Sequence, residues 1–443
     1  MVETETKIQR YERYKDSGVG WLGEIPEHWE CIRMKHLYKD VSIKNRPNEL
    51  LSSVTQDRGV IPRDWIESRM VMPSGNLDSF KFIEKEDFAI SLRSFEGGLE
   101  FCYHNGIISP AYTVLKRKKE NLYPTFYKYL FKSISFISEL QTSVVGIREG
   151  KNISYSELSY SSLPIPPLPE QTAIAQFLDD KTTKIDQGIA IKEEQINLLK
   201  ERKQILIHKA VTRGLDDKVK LKDSGVEWIG EIPEHWEVCN FRYLIRVLTD
   251  YTANGSFGDL ARYVTYLNEP SYSRLIRLTD LRKNLKKSGV YLDEKSHKYL
   301  NKSELYGGEL LMANVGAYAG LAWIMPEIDS PASLAPNMFL IKPFENKIKI
   351  QFLFNLINSN AYSKYISIVA QSAAQPKLNK DNIRQLKIIL PSIKEQKEIS
   401  AYIETISQKI ETAIGLKQQE IDKLKEYKSS LINGVVTGKV RVC

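Results

Sequence analysis

The sequence predicts an α+β protein of two related halves, in which two globular α/β domains are separated by two long antiparallel coiled-coil helices with pseudo-two-fold symmetry. Two observations predict this fold. The segment KDSGVGWLGEIPEHWE at residues 15–30 returns as KDSGVEWIGEIPEHWE at residues 222–237, which is 207 positions later. Residues 166–212 then align without gaps to residues 391–437, which is 225 positions later. The chain is therefore a tandem duplication in which a repeated frame surrounds two diverged inserts.

The repeated frame and the two inserts divide the chain into four segments. We expect a first domain with an N-terminal arm at residues 1–165, a long helix at 166–214, a second domain at 215–388 and a second long helix at 389–443. Both inserts mix short apolar runs with Gly-bounded turns and amphipathic stretches, which is typical of an α+β domain with a curled sheet. The predicted strands are Phe88–Leu92, Tyr112–Leu115, Leu310–Met312 and Asn337–Lys342, and the predicted helices are Pro124–Ser135 and Gln351–Ser359.

The composition is that of a globular protein large enough for several cores. Of 443 residues, 42% are hydrophobic, and 63 Lys and Arg against 55 Asp and Glu give a formal net charge of +8. No run approaches the roughly 18 apolar residues of a membrane span, and the first residues lack the apolar stretch of a signal peptide, so we expect a cytoplasmic protein. Cys31, Cys102, Cys239 and Cys443 are scattered, without C-x-x-C pairs or nearby His, so we expect neither disulfides nor a metal site.

Each repeated segment at 166–212 and 391–437 predicts a helix of about 45 residues, because no Pro follows its start and an acidic residue lies in its first turn. Residues then recur at alternating spacings of four and three, which is the seam of a coiled coil. The first seam contains Leu178, Thr182, Ile185, Ile189, Lys192, Ile196, Leu199, Lys203, Leu206 and Ala210, and the second contains Ile403, Ser407, Ile410, Ile414, Lys417, Ile421, Leu424, Lys428, Leu431 and Val435.

Helices of this length need a partner, and each is the best available mate for the other. Because a whole insert separates them, a compact symmetric molecule pairs them antiparallel along about 65 Å. The seam lysines at 192, 203, 417 and 428 have two open interpretations. They fix the register and the partner, or they extend their charged ends to solvent at the edge of the seam.

The repeated motif with Trp21, Pro26, His28 and Trp29 has two interpretations, a ligand site or a packing element. We favour packing, in which a tight turn lets the tryptophans clamp the insert to a long helix. Residues 18–23 spell G-x-G-x-x-G, but no strand precedes them and the copy replaces Gly20 with Glu227. Residues 434–440 resemble a P-loop but lack the final Ser or Thr and end a helix. We therefore expect no enzymatic activity in this chain.

Three of these motifs together resemble the specificity (S) subunits of type I restriction-modification systems. They are the segment at 15–30, the PLPEQ start of the first long helix at 167–171, and AVTRG at its end, residues 210–214. The resemblance covers essentially the whole chain. It extends into the inserts, where residues 51–60, 106–112 and 276–281 are similar to the target-recognition domains of that family.

The resemblance implies a non-catalytic DNA reader. Each target-recognition domain binds one half of a bipartite site through the major groove, and the helices fix the spacer. In the family, two methyltransferase subunits bring S-adenosylmethionine and usually modify adenine, and two restriction subunits use ATP and Mg²⁺. The expected partners are therefore double-stranded DNA and these subunits, with no membrane and with no cofactor in this chain itself.

Affinity for DNA comes mainly from Lys and Arg on phosphates, and specificity comes from a few polar side chains on base edges. Basic residues in the inserts are the candidates, although solvated or ion-paired surface bases remain the alternative for each. The DNA-binding candidates are Arg93, Lys116, Arg117, Lys118, Lys119, Arg148 and Lys151 in the first domain, and Arg274, Arg277, Arg282 and Lys377 in the second.

Two functions from different classes remain open. The first is the sequence-reading subunit of a multisubunit complex, with half-sites separated by roughly one turn of DNA, about 34 Å. The alternative is a scaffold or an antirestriction-like decoy that binds the partner subunits without reading DNA. Charge reversal in the two inserts distinguishes them, because only the DNA reader loses its target.

Overall fold

The computed structural model describes residues 9–66, 77–145, 152–283, 285, 289–371 and 375–442. The chain forms two compact units. The first comprises Met1–Glu193 and Gln418–Cys443, and the second comprises Glu194–Lys417. Each unit therefore contains one insert, the first half of one long helix and the second half of the other.

The first unit contains fourteen strands among the described residues, four short helices and parts of both long helices. The strands are β1 Tyr14–Asp16, β2 Glu24–Pro26, β3 Glu30–Arg33, β4 Tyr38–Val41, β5 Ser52–Thr55, β6 Gly59–Pro62, β7 Lys81–Ile83, β8 Phe88–Ile90, β9 Glu100–Phe101, β10 Gly106–Ile108, β11 Thr113–Arg117, β12 Val144–Val145, β13 Asn152–Ile153 and β14 Ser162–Ile165. The helices are α1 Ser94–Gly97, α2 Pro124–Leu130, α3 Ile134–Thr142, α4 Tyr155–Leu158 and the long α5 Leu168–Arg213.

The second unit contains a longer set of elements in its insert. Its strands are β15 Leu221–Asp223, β16 Glu231–Pro233, β17 Glu237–Asn240, β18 Ile245–Asp250, β19 Tyr266–Leu267, β20 Ser273–Ile276, β21 Val290–Leu292, β22 Glu304–Leu305, β23 Leu310–Ala313, β24 Ala322–Ile324, β25 Ala332–Leu334, β26 Met338–Pro343 and β27 Lys387–Leu390. Its helices are α6 Phe257–Tyr263, α7 Leu278–Leu281, α8 Glu294–Tyr299, α9 Ile350–Ile357, α10 Asn360–Ala370, α11 Lys380–Gln385 and the long α12 Ile393–Val436.

Each insert contains a four-stranded sheet, and the two sheets have the same topology. The first unit contains an antiparallel sheet in the order β4-β11-β8-β9, and the second contains one in the order β18-β26-β23-β24. Helices α2 and α3 pack on one core and α9 and α10 on the other, through Phe126 and Phe136 and through Phe352 and Tyr362, which are fully buried. The predicted strands at 88–92, 112–115, 310–312 and 337–342 correspond to β8, β11, β23 and β26, although β8 ends at Ile90. The α+β fold is confirmed.

The rest of the two inserts differs, and this is where the sequences have diverged. In the first unit the hairpin β5–β6 and the pair β7–β10 enclose a small core around Val60, Ile83 and Ile108. In the second unit a five-stranded sheet, in the order β19-β21-β20-β25-β22, encloses a larger core around Leu275 and Leu334. A shared scaffold therefore presents two different surfaces.

The long helices are antiparallel in each unit. In the first unit, Asp186 pairs with Lys428 at 2.7 Å and Lys192 pairs with Glu420, so residue numbers rise along α5 while they fall along α12. In the second unit, Lys203 pairs with Glu411 at 2.7 Å, and Ala210 shares a core with residues near the start of α12. The predicted antiparallel pairing is confirmed within each unit.

Three of the four seam lysines reach across to the opposite helix. Lys192, Lys203 and Lys428 are each about three-quarters buried, and each reaches a carboxylate on the opposite helix. The pair Lys203–Glu411 corresponds, 225 positions on, to Lys428–Asp186, so the duplication repeats the ion pair itself. These lysines extend to the edge of the seam and pair there with the opposite helix, and their role in fixing the register stays a prediction.

In both units the insert is joined to the long helices by an equivalent set of contacts, which we call the frame junction. Each frame junction contains a buried glutamine in the same position. In the first unit, Gln171 Nε2 donates to the carbonyl oxygens of Pro166 at 2.8 Å and Asn121 at 3.0 Å, and its Oε1 accepts from the Tyr123 N–H at 2.8 Å. In the second, Gln396 Nε2 donates to Pro391 at 2.9 Å and Lys347 at 3.1 Å, and its Oε1 accepts from the Lys349 N–H at 2.7 Å. The two glutamines make equivalent bonds.

The tryptophans of the repeated motif are packing residues, as predicted. Trp29 and Trp236 are fully buried. Each packs beside the glycine that ends a long helix: Gly438, with φ +75°, lies against Trp29, and Gly214, with φ +76°, lies against Trp236. The P-loop-like segment is thus a helix terminus, because α12 ends at Val436 and Gly438 follows two residues later.

Candidate nucleic-acid interface

The tip of the hairpin β5–β6 in the first domain is exposed and rigidly built. Thr55 Oγ1 donates to the Gly59 carbonyl at 3.0 Å and accepts from the Arg58 N–H at 3.2 Å, which fixes the three-residue turn. Gly59 has φ +72°, and a Cβ at this position would lie 2.5 Å from the Phe101 carbonyl oxygen. Only glycine permits this close approach.

The tip is also held from the side. Gln56 Nε2 donates to the Arg93 carbonyl at 3.2 Å, and the Gln56 carbonyl accepts from Lys132 Nζ at 3.0 Å. Lys132 in turn lies 2.6 Å from the buried carboxylate of Glu100. Burial raises the pKa of Glu100 to about 7, although the Lys132 ammonium opposes this shift. The turn is therefore fixed by contacts to three separate segments.

Exposed aromatic rings surround this turn. Trp65 is 57% exposed and Tyr103 is 40% exposed. The Trp65 ring lies edge-on to His104, with centroids 5.1 Å apart, and Tyr103 packs beside Gly59. Arg58 donates from a terminal nitrogen to the Trp65 carbonyl at 3.4 Å. We call the set Gln56, Arg58, Trp65, Arg93, Tyr103 and His104 the hairpin patch.

Aromatic rings together with Arg and Gln form the kind of surface that contacts nucleic acid. Of the predicted first-domain residues that the structure describes, only Arg93 lies in the hairpin patch. Sequence reasoning associated residues 51–60 with the family but did not select Gln56 or Arg58 as candidates. The turn sequence between two apolar runs was the available indication, because such a turn presents polar side chains at an exposed tip.

The basic cluster at 116–119 lies at the end of β11, away from the contacts of the hairpin patch. Lys116 pairs with Glu84, and Arg117 pairs with Glu86 at 3.5 Å. Lys118 Nζ donates to the Lys35 carbonyl at 2.5 Å, and Lys119 is exposed. The two glutamates offset part of the positive charge that this strand offers to a phosphate. Arg148 and Lys151 lie outside the described residues.

In the second domain, Arg274 and Arg277 converge on Asp280. Two Arg277 nitrogens donate to the Asp280 carboxylate, both at 2.9 Å, and a nitrogen of Arg274 lies 4.0 Å from it. Burial raises the pKa of Asp280, but hydrogen bonds from Arg277 and the charges of both arginines hold it below its usual value. Arg277 also caps α7. These contacts give both arginines a structural role in addition to the predicted one.

Arg282 and Lys377 are exposed and lie around a second loop, residues 314–320, most of which is half-buried. The Arg282 guanidinium stacks over the Tyr318 ring at 4.1 Å, a cation–π contact. Lys377 is exposed and its backbone forms a β-bridge with Val315 in the same loop. The structure thus gathers four predicted residues of the second domain at the two ends of α7 and the neighbouring loop. All the predicted DNA contacts remain predictions.

A metal-binding cluster and a membrane-spanning helix are both absent from the described part of the chain. No group of three or more His, Cys, Asp or Glu side chains there is arranged to hold a metal ion. None of the helices described has both the length and the apolar character needed to cross a membrane.

The duplicated architecture agrees with the comparison to protein families. The family described as the type I restriction modification DNA specificity domain matches residues 39–201 and again residues 269–425, well over half of the chain. The chain belongs to this family. It contains two copies of the specificity domain, each spanning most of one insert and most of the long helix that follows.

Characterised relatives and solved structures agree with this assignment. The chain is 26% identical over 434 residues to the type I restriction enzyme MjaVIII specificity subunit of Methanocaldococcus jannaschii, covering 94% of each chain. It is similar in fold to a solved chain of a type I R-M system, with a TM-score of 0.68, 14% identity and coverage of 93% of this chain and 98% of the other. It also resembles the HsdS subunit of Thermoanaerobacter tengcongensis, with a TM-score of 0.53, 14% identity and coverage of 94% and 98%.

Proposed function

We propose that this chain is the DNA-reading subunit of a type I restriction-modification complex that recognises a bipartite site, one half with each target-recognition domain. The observation that carries the proposal is the contrast between a duplicated scaffold and the two different surfaces that it presents. The first surface is the hairpin patch, and the second is the loop 314–320 with Arg282 and Lys377. Two different target-recognition domains on one scaffold suit a DNA site whose two halves differ in sequence.

The partners follow from the duplication of the frame. Ile191 on α5 is 59% exposed, and its copy 225 positions on, Leu416 on α12, is 56% exposed. Equivalent exposed apolar residues on the two long helices support two equivalent docking sites, one for each of two methyltransferase subunits. Two restriction subunits complete the cytoplasmic complex. In this proposal the partner subunits bind S-adenosylmethionine, ATP and Mg²⁺, and this chain binds no cofactor.

The long helices set the spacer in this proposal. Helices α5 and α12 contain 46 and 44 residues, and each runs through both units. An insertion of seven residues after Glu193 and after the equivalent Gln418 keeps the heptad phase and adds about 10 Å. We expect the spacer between methylated half-sites to lengthen by about three base pairs. An unchanged spacer would show that the length of the helices does not determine it.

The principal experiment is co-expression with the partner methyltransferase, followed by single-molecule sequencing of the methylated DNA. We expect one two-part motif, and we expect the isolated chain to bind duplex DNA only modestly. Charge reversal at Arg93 and at Arg282 should each weaken methylation of that motif. The structure places both side chains at the surface, where the change does not break a buried pair. Methylation without a two-part motif would refute the proposal, and an unaffected motif and rate in both variants would favour the scaffold.

A further inference from the structure

We propose that Arg58 and Gln56, at the tip of the hairpin β5–β6, read bases in one half of the DNA site. This inference rests on the proposed function and makes it specific to two side chains. Neither residue was among the candidates from the sequence. Three properties of the tip support the assignment: its side-chain chemistry, its rigidity and its surroundings.

The chemistry of the tip suits the major groove. Arginine donates two hydrogen bonds to O6 and N7 of guanine, and glutamine pairs in the same two-point manner with N6 and N7 of adenine. The Arg58 side chain is 52% exposed, and its recorded contacts are the Trp65 carbonyl and Asp57, 3.8 Å away. A guanidinium carries five N–H donors, so these contacts leave donors for a base edge.

The rigidity of the tip suits sequence discrimination. A flexible side chain on a mobile loop loses conformational entropy when it binds, and it adapts to the wrong base as well as to the right one. Here Thr55 closes the turn, Gly59 packs against Phe101, and Lys132 holds the Gln56 carbonyl. The backbone of the reading residues is therefore fixed before DNA arrives.

The surroundings suit an interface rather than open solvent. Trp65 and Tyr103 flank the turn, and both rings are exposed. An aromatic ring beside a base-reading side chain contacts thymine methyl groups or sugars and excludes water from the polar contacts. The Arg93 backbone carbonyl accepts a hydrogen bond from Gln56, and the Arg93 side chain is exposed, so its charge is available to a phosphate beside the tip.

The test maps methylation motifs for the complete complex, reconstituted with its methyltransferase subunits and carrying Arg58→Ala, Gln56→Ala or Arg58→Lys. Arg13→Ala serves as the matched control, because it removes one exposed arginine of the same unit outside the patch. Arg282→Ala serves as the counterpart in the second domain. Thermal unfolding of each variant confirms that it folds.

We expect Arg58→Ala to relax one or two base positions in one half-site only, with discrimination there falling about 5- to 150-fold. Arg58→Lys should lose discrimination at the same base positions as Arg58→Ala, because lysine retains the charge without the two-point geometry. Arg282→Ala should change only the other half-site.

Three outcomes oppose the inference, and they are distinguishable from one another. A wild-type two-part motif that Arg58→Ala leaves unchanged overturns the assignment while the proposed function stands. A uniform loss of methylation with an unchanged motif, restored by Arg58→Lys, makes Arg58 a phosphate contact and overturns base reading. Absence of any two-part motif in the wild type refutes the proposed function, and the inference fails with it.

Discussion

The two frame junctions bury the same residues but surround their glutamates differently. Glu395 accepts hydrogen bonds from Trp236 Nε1 at 3.0 Å and from the Ser392 N–H at 3.1 Å, and it lies 2.8 Å from His235 Nε2. Glu170 lies 2.8 Å from His28 Nε2 and accepts from the Tyr11 hydroxyl. Among the described residues, none accepts a hydrogen bond from the buried Nε1 of Trp29.

Two sequence differences account for this contrast. Ser392 and Glu395 form a capping box at the start of α12, whereas Pro167 replaces the serine at the start of α5. The N-terminal arm precedes only the first frame, and its Tyr11 takes the glutamate oxygen there. The duplication has preserved the packing and exchanged the hydrogen-bond partners. Each junction is therefore an internal control for the other.

The largest expected effect is one that both junctions share. Replacement of Gln171 or Gln396 with Leu leaves two carbonyls and one N–H without their buried partner, and each such group costs about 1 to 3 kcal/mol. We expect each variant to lose about 3 to 5 kcal/mol of unfolding free energy in its own unit. Hydrogen exchange resolved by peptide measures the two units separately. Gln187→Leu on the exposed face of α5 is the control, and a large difference between the two variants would break the equivalence of the junctions.

The next expected effect is a difference between the two units in how their stability depends on pH, which arises from their buried carboxyl groups. Burial raises the pKa of Glu100 to about 7 and that of Asp87 to about 6 in the first unit. A carboxyl group whose pKa is higher in the folded state than in the unfolded state stabilises the fold fully at any pH below its unfolded-state pKa. This contribution is lost as the pH rises through its folded-state pKa. The first unit should therefore lose stability between about pH 4 and pH 7, with Glu100 contributing about 3 kcal/mol.

The second unit should respond differently over the same window. Burial raises the pKa of Glu395, but hydrogen bonds from Trp236, His235 and Ser392 outweigh it and lower the pKa to about 2. That contribution is present above about pH 4.5 and is lost only as the pH falls towards 2. Hydrogen exchange of both units at pH 5 and pH 7, corrected for intrinsic rates, tests the contrast. Glu100→Gln should flatten the response of the first unit, and a response of equal size in both units would contradict the assignment.

The tryptophans give a sharper comparison of the junctions. Replacement of Trp29 or Trp236 with Phe removes the same volume from a fully buried site, so the cavity cost is shared. Only Trp236→Phe also removes a hydrogen bond to a carboxylate. We expect Trp236→Phe to cost about 1.5 to 3 kcal/mol more than Trp29→Phe, measured as above. Equal losses would mean that the Trp236 bond contributes nothing net.

The sequence predicted the parts of this protein that repeat. The duplicated motif and the spacings of four and three identified both long helices, their seams and their antiparallel pairing, because periodicity is a local property. The DNA-binding candidates depended on charge and on position along the chain. Charge does not show that strand pairing places Lys116 beside Glu84 and Arg117 beside Glu86. Nor does it show that residues 56, 65, 93 and 103 meet at one turn, because those contacts arise from tertiary folding.

The smallest expected effect concerns the repeated ion pairs of the long helices. Lys203–Glu411 and Lys428–Asp186 are equivalent in sequence, and both carboxylates are more than half exposed. Water screens such pairs, so a double-mutant cycle with alanine at each pair should give a coupling energy of about 0.2 to 1 kcal/mol. We expect the two values to agree within error and to shrink together at about 1 M salt, where the screening length is about 3 Å. A coupling found in only one pair would show that the two ends of the coiled coil have diverged as the junctions have.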